Sequence, residues 1–161
     1  GNETQIANRF KLFATGLKNY AKDFYNSYPL VKCASSNDWM QGTASANNIA
    51  SCSALEQYIG SFVTVGPTTT DVWTYTGYIG NSTSSSAASG NVGSNQSATQ
   101  GFYTFTTAPI DNAYVQSILN QANAYGLNCA AVSSTKYSGS SVITCTSQPV
   151  LVSGSNTVNY F

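Results

Sequence analysis

The chain has 161 residues, 42% of them hydrophobic, which is enough for one globular domain with a real core and short for two. Its 6 basic and 6 acidic residues cancel, and only 7% of the chain is charged, against roughly 25% in ordinary soluble domains. Such a chain has no basic stripe of the kind that sequence-independent nucleic-acid binding needs, and its neutral surface offers little colloidal repulsion, a property suited to a subunit that packs against copies of itself.

The first element carries the clearest pattern. From about Glu3 to Tyr25, at 100° per residue, Ile6, Phe10, Phe13, Leu17, Tyr20, Ala21 and Phe24 fall within a sector of about 100°. Lys11, Lys18 and Lys22 group on roughly the opposite side. The spacing predicts an amphipathic helix with one aromatic and aliphatic face to bury, ending before Pro29 because the residue ahead of a proline is pushed out of the α region.

Leu30 to Ser53, with Cys33, Trp39 and Cys52, reads as loop, and Ala54 to Gly60 as a short helix. Strands are predicted over Ser61–Val65, Asp71–Ile79 and Gly101–Thr107, which are rich in β-branched and aromatic residues and bounded by Gly or Pro. Trp73 and Tyr75 share one face of their strand, as do Tyr103 and Phe105. Gly80 to Gln100 is a Ser, Ala, Asn, Gly and Thr tract that cannot order itself by hydrophobic burial. Asp111 is placed as the N-cap of a second long helix with Val115, Ile118, Leu119 and Ala122 on one face, and Gly126 as its stop. Ser141–Thr146, Pro149–Val152 and Thr157–Phe161 close the chain as short strands. One leading helix, strands, an inserted helix and more strands argue for an α+β fold with an antiparallel sheet.

The four cysteines, Cys33, Cys52, Cys129 and Cys145, fall as one pair early and one late. Three connectivities are open. Local pairing is favoured, closing loops of about 20 residues, each contributing roughly 3 kcal/mol by constraining the unfolded chain. A zinc site is disfavoured because there is no histidine and no C-x-x-C pair. Disulfides point outside the reducing cytosol. Neither a signal peptide nor a stretch of about 18 apolar residues occurs, so the expectation is of an exported chain that has been trimmed.

The absence of histidine removes the usual base of Ser and Cys nucleophiles. The carboxylates Glu3, Asp23, Asp38, Glu56, Asp71 and Asp111 are scattered, and no phosphate loop, dinucleotide fingerprint or calcium loop is present. The reading is of a building block and not an enzyme, with no cofactor and no metal. The 11 tyrosines are taken first as half-buried strand residues and second as ring platforms for a ligand.

Four features together, the leading amphipathic helix ending near Tyr28-Pro29, the Ser, Gly and Asn-rich middle, the helix Asp111 to Tyr125 and the cysteine pair Cys129 and Cys145, carry a likeness of layout. In it the chain resembles the soluble part of a type IV pilin or pseudopilin without its N-terminal hydrophobic half-helix, closer to the type IVb branch. The resemblance implies a single pilin-like domain over 1–161. Residues 1–28 are then the C-terminal half of the leading helix, 29–60 the helix-to-sheet loop, and 61–161 the sheet with its inserted helix 111–125. It implies that Ile6, Phe10, Phe13, Leu17 and Phe24, with Tyr20 beside them, meet the sheet, part of that face lying near the filament axis, and that a Cys129 to Cys145 disulfide closes the C-terminal region. The Cys33 and Cys52 pair departs from the single disulfide of many members.

The partners so implied are further copies or related pilins in a helical filament at a bacterial surface, serving adhesion, aggregation, motility or uptake, with a membrane anchor before assembly and a host-surface or glycan ligand. The alternatives are a periplasmic pseudopilin of a type II secretion system and a secreted carbohydrate-binding or adhesin module that uses Trp39, Trp73 and exposed tyrosines. The sequons at Asn2, Asn81 and Asn95 are expected by chance in this composition.

Overall fold

A computed structural model of the chain describes residues 2–24, 28–29, 31–35, 41–42, 52–60, 71–79, 100–147 and 150–151. Helix α1 runs Asn2–Asp23, strand β1 Lys32–Ala34, strand β2 Gln41–Gly42 and helix α2 Ser53–Ile59. Strands β3 (Thr74–Ile79), β4 (Gln100–Thr106) and β5 (Ile110–Asp111) follow, then helix α3 (Asn112–Ala124) and strands β6 (Asn128–Ser133), β7 (Ser140–Thr146) and β8 (Val150–Leu151).

All the pairings are antiparallel, in the path β2-β1-β3-β4-β7, with β5 beside the start of β7, β6 along the other side of β7, and β8 on the beginning of β4. The fold is α+β, as the element order implied. The strands expected at Ser61–Val65 and Thr157–Phe161, the Gly80 to Gln100 tract up to Thr99, and Trp39 lie outside the described residues.

The predicted helical stripe is the stripe that is buried: Ile6, Phe10, Phe13, Leu17, Tyr20 and Ala21 are all inside. They meet a sheet face made by alternate residues of β3 and β4 and the residue leading into β3. Tyr75 stands opposite Phe105 and Gly77 opposite Tyr103, so Trp73, Tyr75, Tyr103 and Phe105 all point to the helix. Phe13 stacks on Phe105 with ring centres 4.1 Å apart, and Phe10 lies 5.6 Å from Trp73 and 5.3 Å from Phe105. These offset and tilted contacts add to the burial of large rings.

The tyrosines in this layer are more deeply placed than the half-buried role expected for them. Tyr75 and Tyr103 are fully buried, and the Tyr75 hydroxyl donates to the Pro29 carbonyl at 2.9 Å. Two glycines permit the close packing. A side chain at Gly77 would collide with the Pro29 carbonyl, and one at Gly16 with the Tyr58 carbonyl where α1 crosses α2.

Four elements depart from the sequence reading: the two-residue strands β2, inside the stretch read as loop, and β5, ahead of α3, together with β1 and β6. The stretch from Leu30 read as loop contains β1, which pairs with β3 as Lys32 to Thr76, Cys33 to Tyr75 and Ala34 to Thr74. Three residues are too few to show alternation, and the tertiary ladder selects the strand. Strand β6 was not foreseen because Asn-Cys-Ala-Ala-Val-Ser has no apolar alternation, and none of its residues is buried.

Helix α3 follows its signals: the Asp111 carboxylate accepts from the Ala113 N–H at 2.9 Å, Ile118 and Ala122 are buried, and Gly126 takes a φ of 85° after the last turn.

Candidate assembly surfaces and their supports

The sequence-level site residues separate into two groups. Cys33–Cys52 and Cys129–Cys145 are disulfides, the local pairing favoured from the sequence. The first joins β1 to the entry of α2, so the helix that packs under α1 is tied to the sheet that α1 covers. The second bridges directly opposed residues of β6 and β7.

Ile6, Phe10, Phe13, Leu17, Tyr20 and Phe24 form the second group, and they are consumed by the domain's own core. The first four and Tyr20 are buried. Phe24 is partly buried and stacks on Tyr20 at 4.4 Å, so the C-terminal end of the stripe meets α2, where Tyr20 also lies 5.0 Å from Tyr58. Within the domain, Phe10 and Phe13 meet the rings of the sheet, and Tyr20 and Phe24 meet Tyr58 of α2. The open side of α1 is divided along its length. Lys11, Lys18 and Lys22 form one exposed edge, and Asn8, Leu12, Thr15 and Asn19 form an exposed uncharged stripe beside it. Leu12 is 44% exposed, one of three large apolar residues so placed among the described residues.

The outer face of the sheet is the other distinctive surface. Three Thr-x-Thr segments, Thr74 to Thr76, Thr104 to Thr106 and Thr144 to Thr146, stand in register on adjacent strands, so six threonines form two rows. The rows run Thr74–Thr106–Thr144 and Thr76–Thr104–Thr146. Thr106 and Thr144 share a hydroxyl hydrogen bond at 3.0 Å. Each aromatic or cysteine between two threonines enters the core, so one short motif builds both the core and a hydroxyl-rich face, with Lys32 of β1 opposite Thr76 at its edge.

Below these rows Val72, Pro109, Val132 and Val142 line an open hollow of about 490 Å³. Asp71 closes its end. The buried Asp71 carboxylate accepts from Lys136 Nζ at 2.8 Å and from the Tyr137 hydroxyl at 3.0 Å, pinning the β6–β7 turn to the lead-in of β3. The hydrogen bond to Asp71 raises the Lys136 pKa above its ordinary value. The turn is shaped by the Ser134 hydroxyl, which accepts from the backbone N–H groups of Lys136 and Tyr137.

Burial raises the pKa of Tyr75, Tyr103 and Tyr20 well above the ordinary tyrosine value, and it raises that of Tyr28 too, where a hydrogen bond with Ser147 works the other way. Trp73 is fully buried, and of the expected ring platforms the exposed one among the described residues is Tyr114, at 42%. Among the described residues no group of three or more acidic, cysteine or histidine side chains is arranged to hold a metal, and no helix is long and apolar enough to cross a membrane.

No protein-family model matches the chain, and no curated protein or solved structure is significantly similar to it.

Proposed function

We propose that this chain is a structural subunit of an extracellular filament of the type IV pilus kind, exported to an oxidising compartment and working by association and not by turnover. The observation that carries the reading is the use of α1. Its aromatic stripe is buried against β3 and β4, with its C-terminal end against α2 and Phe24 partly covered, while its opposite side is left open and split into a lysine edge and an uncharged stripe centred on Leu12. A helix that fastens the domain with one face and offers the other is suited to a bundle of helices inside a fibre, with the sheet turned outward.

The remaining features support this use. The sheet's outer face is rich in threonine, with Lys32 the one charged residue in line with the rows among the described residues, which keeps like-charge repulsion low in lateral packing. Strand β6, closed onto β7 by a disulfide, has no buried residue. The pseudopilin of a secretion system shares these features and differs in the length of fibre it builds. A sugar-binding module finds less support, since Trp73 is inside the core.

The test is the coding sequence directly upstream of residue 1. The proposal expects a short basic leader followed by about 20 apolar residues, long enough to span a bilayer, in helical phase with Ile6. An ordinary cleavable signal peptide ending immediately before residue 2 would overturn it.

A further inference from the structure

Among the described residues, strand β6 is an edge that carries none of the usual defences within its own sequence. Among the described residues it pairs with β7 alone, and Ala130, Ala131, Val132 and Ser133 are all exposed, Val132 at 63%. Edge strands are ordinarily protected by a lysine, a proline, a bulge or an inward-pointing charge. Asn128 to Ser133 has none of these: its six residues are uncharged, contain no proline and stay in unbroken register with Thr146 to Ser141.

The backbone groups that face outward from this edge can be assigned. In an antiparallel pair, opposed residues alternate between hydrogen-bonded pairs and closer non-bonded pairs with Cα atoms about 4.5 Å apart. Cys129 and Cys145 are 4.1 Å apart at Cα, so they form a non-bonded pair. At the end of the same ladder the Ser134 N–H reaches the Ser140 carbonyl at 2.8 Å, which places the even-numbered residues on the β7 side. On the far side of β7, the Thr107 N–H bonds the Ile143 carbonyl, so the odd-numbered residues of β7 serve β4. Cys129, Ala131 and Ser133 therefore turn their N–H and C=O groups away from the sheet, to the open edge.

We infer that this edge pairs with the same edge of a second copy, antiparallel about a twofold axis through Ala131. For the outer faces of both sheets to stay on one side, each residue must meet one of its own parity. The axis through Ala131 satisfies this, setting Ala131 opposite Ala131 of the second copy and Cys129 opposite Ser133 of the second copy. Every outward group then finds a partner, with about six new backbone bonds, two per bonded pair. The neutral strand sets no like charges against each other, and alanine on the axis lets the strands approach without side-chain displacement. On the outer face, Val132 meets Ala130 of the second copy and extends the apolar row that contains Val142. Because a twofold contact closes at two copies, it cannot propagate a fibre. It joins two free domains, or two subunits in neighbouring fibres, and stands independently of the filament reading.

Sedimentation equilibrium of the chain over a wide concentration range, joined to residue-resolved amide exchange, tests this. The expected result is an average mass rising from 17.0 kDa towards twice that value. With it, exchange at Cys129, Ala131 and Ser133 slows at least about tenfold on association while Asn128, Ala130 and Val132 are already protected in the monomer. Ala131→Pro removes only an outward N–H, a position where an edge strand accepts proline, and should abolish association. A single 17.0 kDa species up to millimolar concentration, association that leaves the odd-numbered amides unchanged, or a dimer that survives Ala131→Pro in folded protein would each overturn the inference. The exchange pattern of the unmodified chain decides the matter if the proline variant does not fold.

Discussion

Beneath α1, strands β3 and β4 present Tyr75, Tyr103 and Phe105 to the helix, with Trp73 beside them, all buried and with rings in contact. At the far edge, β6 buries none of its residues and is held by a ladder to β7, one disulfide and the Asp71 clamp on its turn. The first region is stabilised by removing large rings from water, the second by a covalent link and backbone hydrogen bonds that leave its side chains exposed apart from the partly buried Cys129. Where a segment must present a surface, burial cannot hold it, and cross-linking takes over.

Alkaline titration should disrupt the first region completely. The buried tyrosines have folded-state pKa values raised by desolvation, so the folded protein holds those protons more tightly than the unfolded chain. Their stabilisation is fully present below the ordinary tyrosine value of about 10 and is lost as pH rises above it. Absorbance of tyrosinate should therefore appear for these residues in one cooperative step with unfolding. A gradual titration through the ordinary range with the fold intact would contradict the packing described.

Phe13→Ala removes the ring stacked on Phe105 and should cost about 3–5 kcal/mol in chemical denaturation, as other buried ring deletions do. Removing the Cys129–Cys145 bridge by paired serine substitution opens a loop with a sequence separation of 16 and should cost about 3 kcal/mol. The comparison is sharpened by where the loss is seen: exchange should accelerate first in β6 and the 134–139 turn, with β4 following only on global unfolding. Asp71→Asn has the smallest effect, releasing the turn from Lys136 and weakening the bond to Tyr137. It should raise exchange in residues 134–139 and leave β3 and β4 protection unchanged.

The same contrast explains what could be read from the sequence. The α1 stripe, the β3 and β4 aromatics, and the cap and stop of α3 at Asp111 and Gly126 were legible because burial imposes a period on the residues that supply it. The local pairing of the cysteines was legible as a preference among three. Strand β6 left no such mark, since a strand exposed on both faces has no apolar alternation, and its backbone pairing depends on β7 lying beside it. Strand β1 was hidden for a related reason, as three residues take their conformation from the β3 ladder. The threonine rows were not read from the sequence, because the triplets at Thr74, Thr104 and Thr144 gain meaning only from the register that aligns them. The Asp71 clamp joins residues whose separation in sequence is 65, and no local pattern signals it.

We propose a fibre subunit fastened by one face of α1 and displaying strand β6 with its turn. It is tested most directly by immunogold electron microscopy of the native cells, with an antibody raised against the turn 134–139. The account predicts label repeated along surface fibres that are released by shearing and lost when the gene is deleted. Label confined to soluble secreted protein, with fibres unaffected by the deletion, would contradict it.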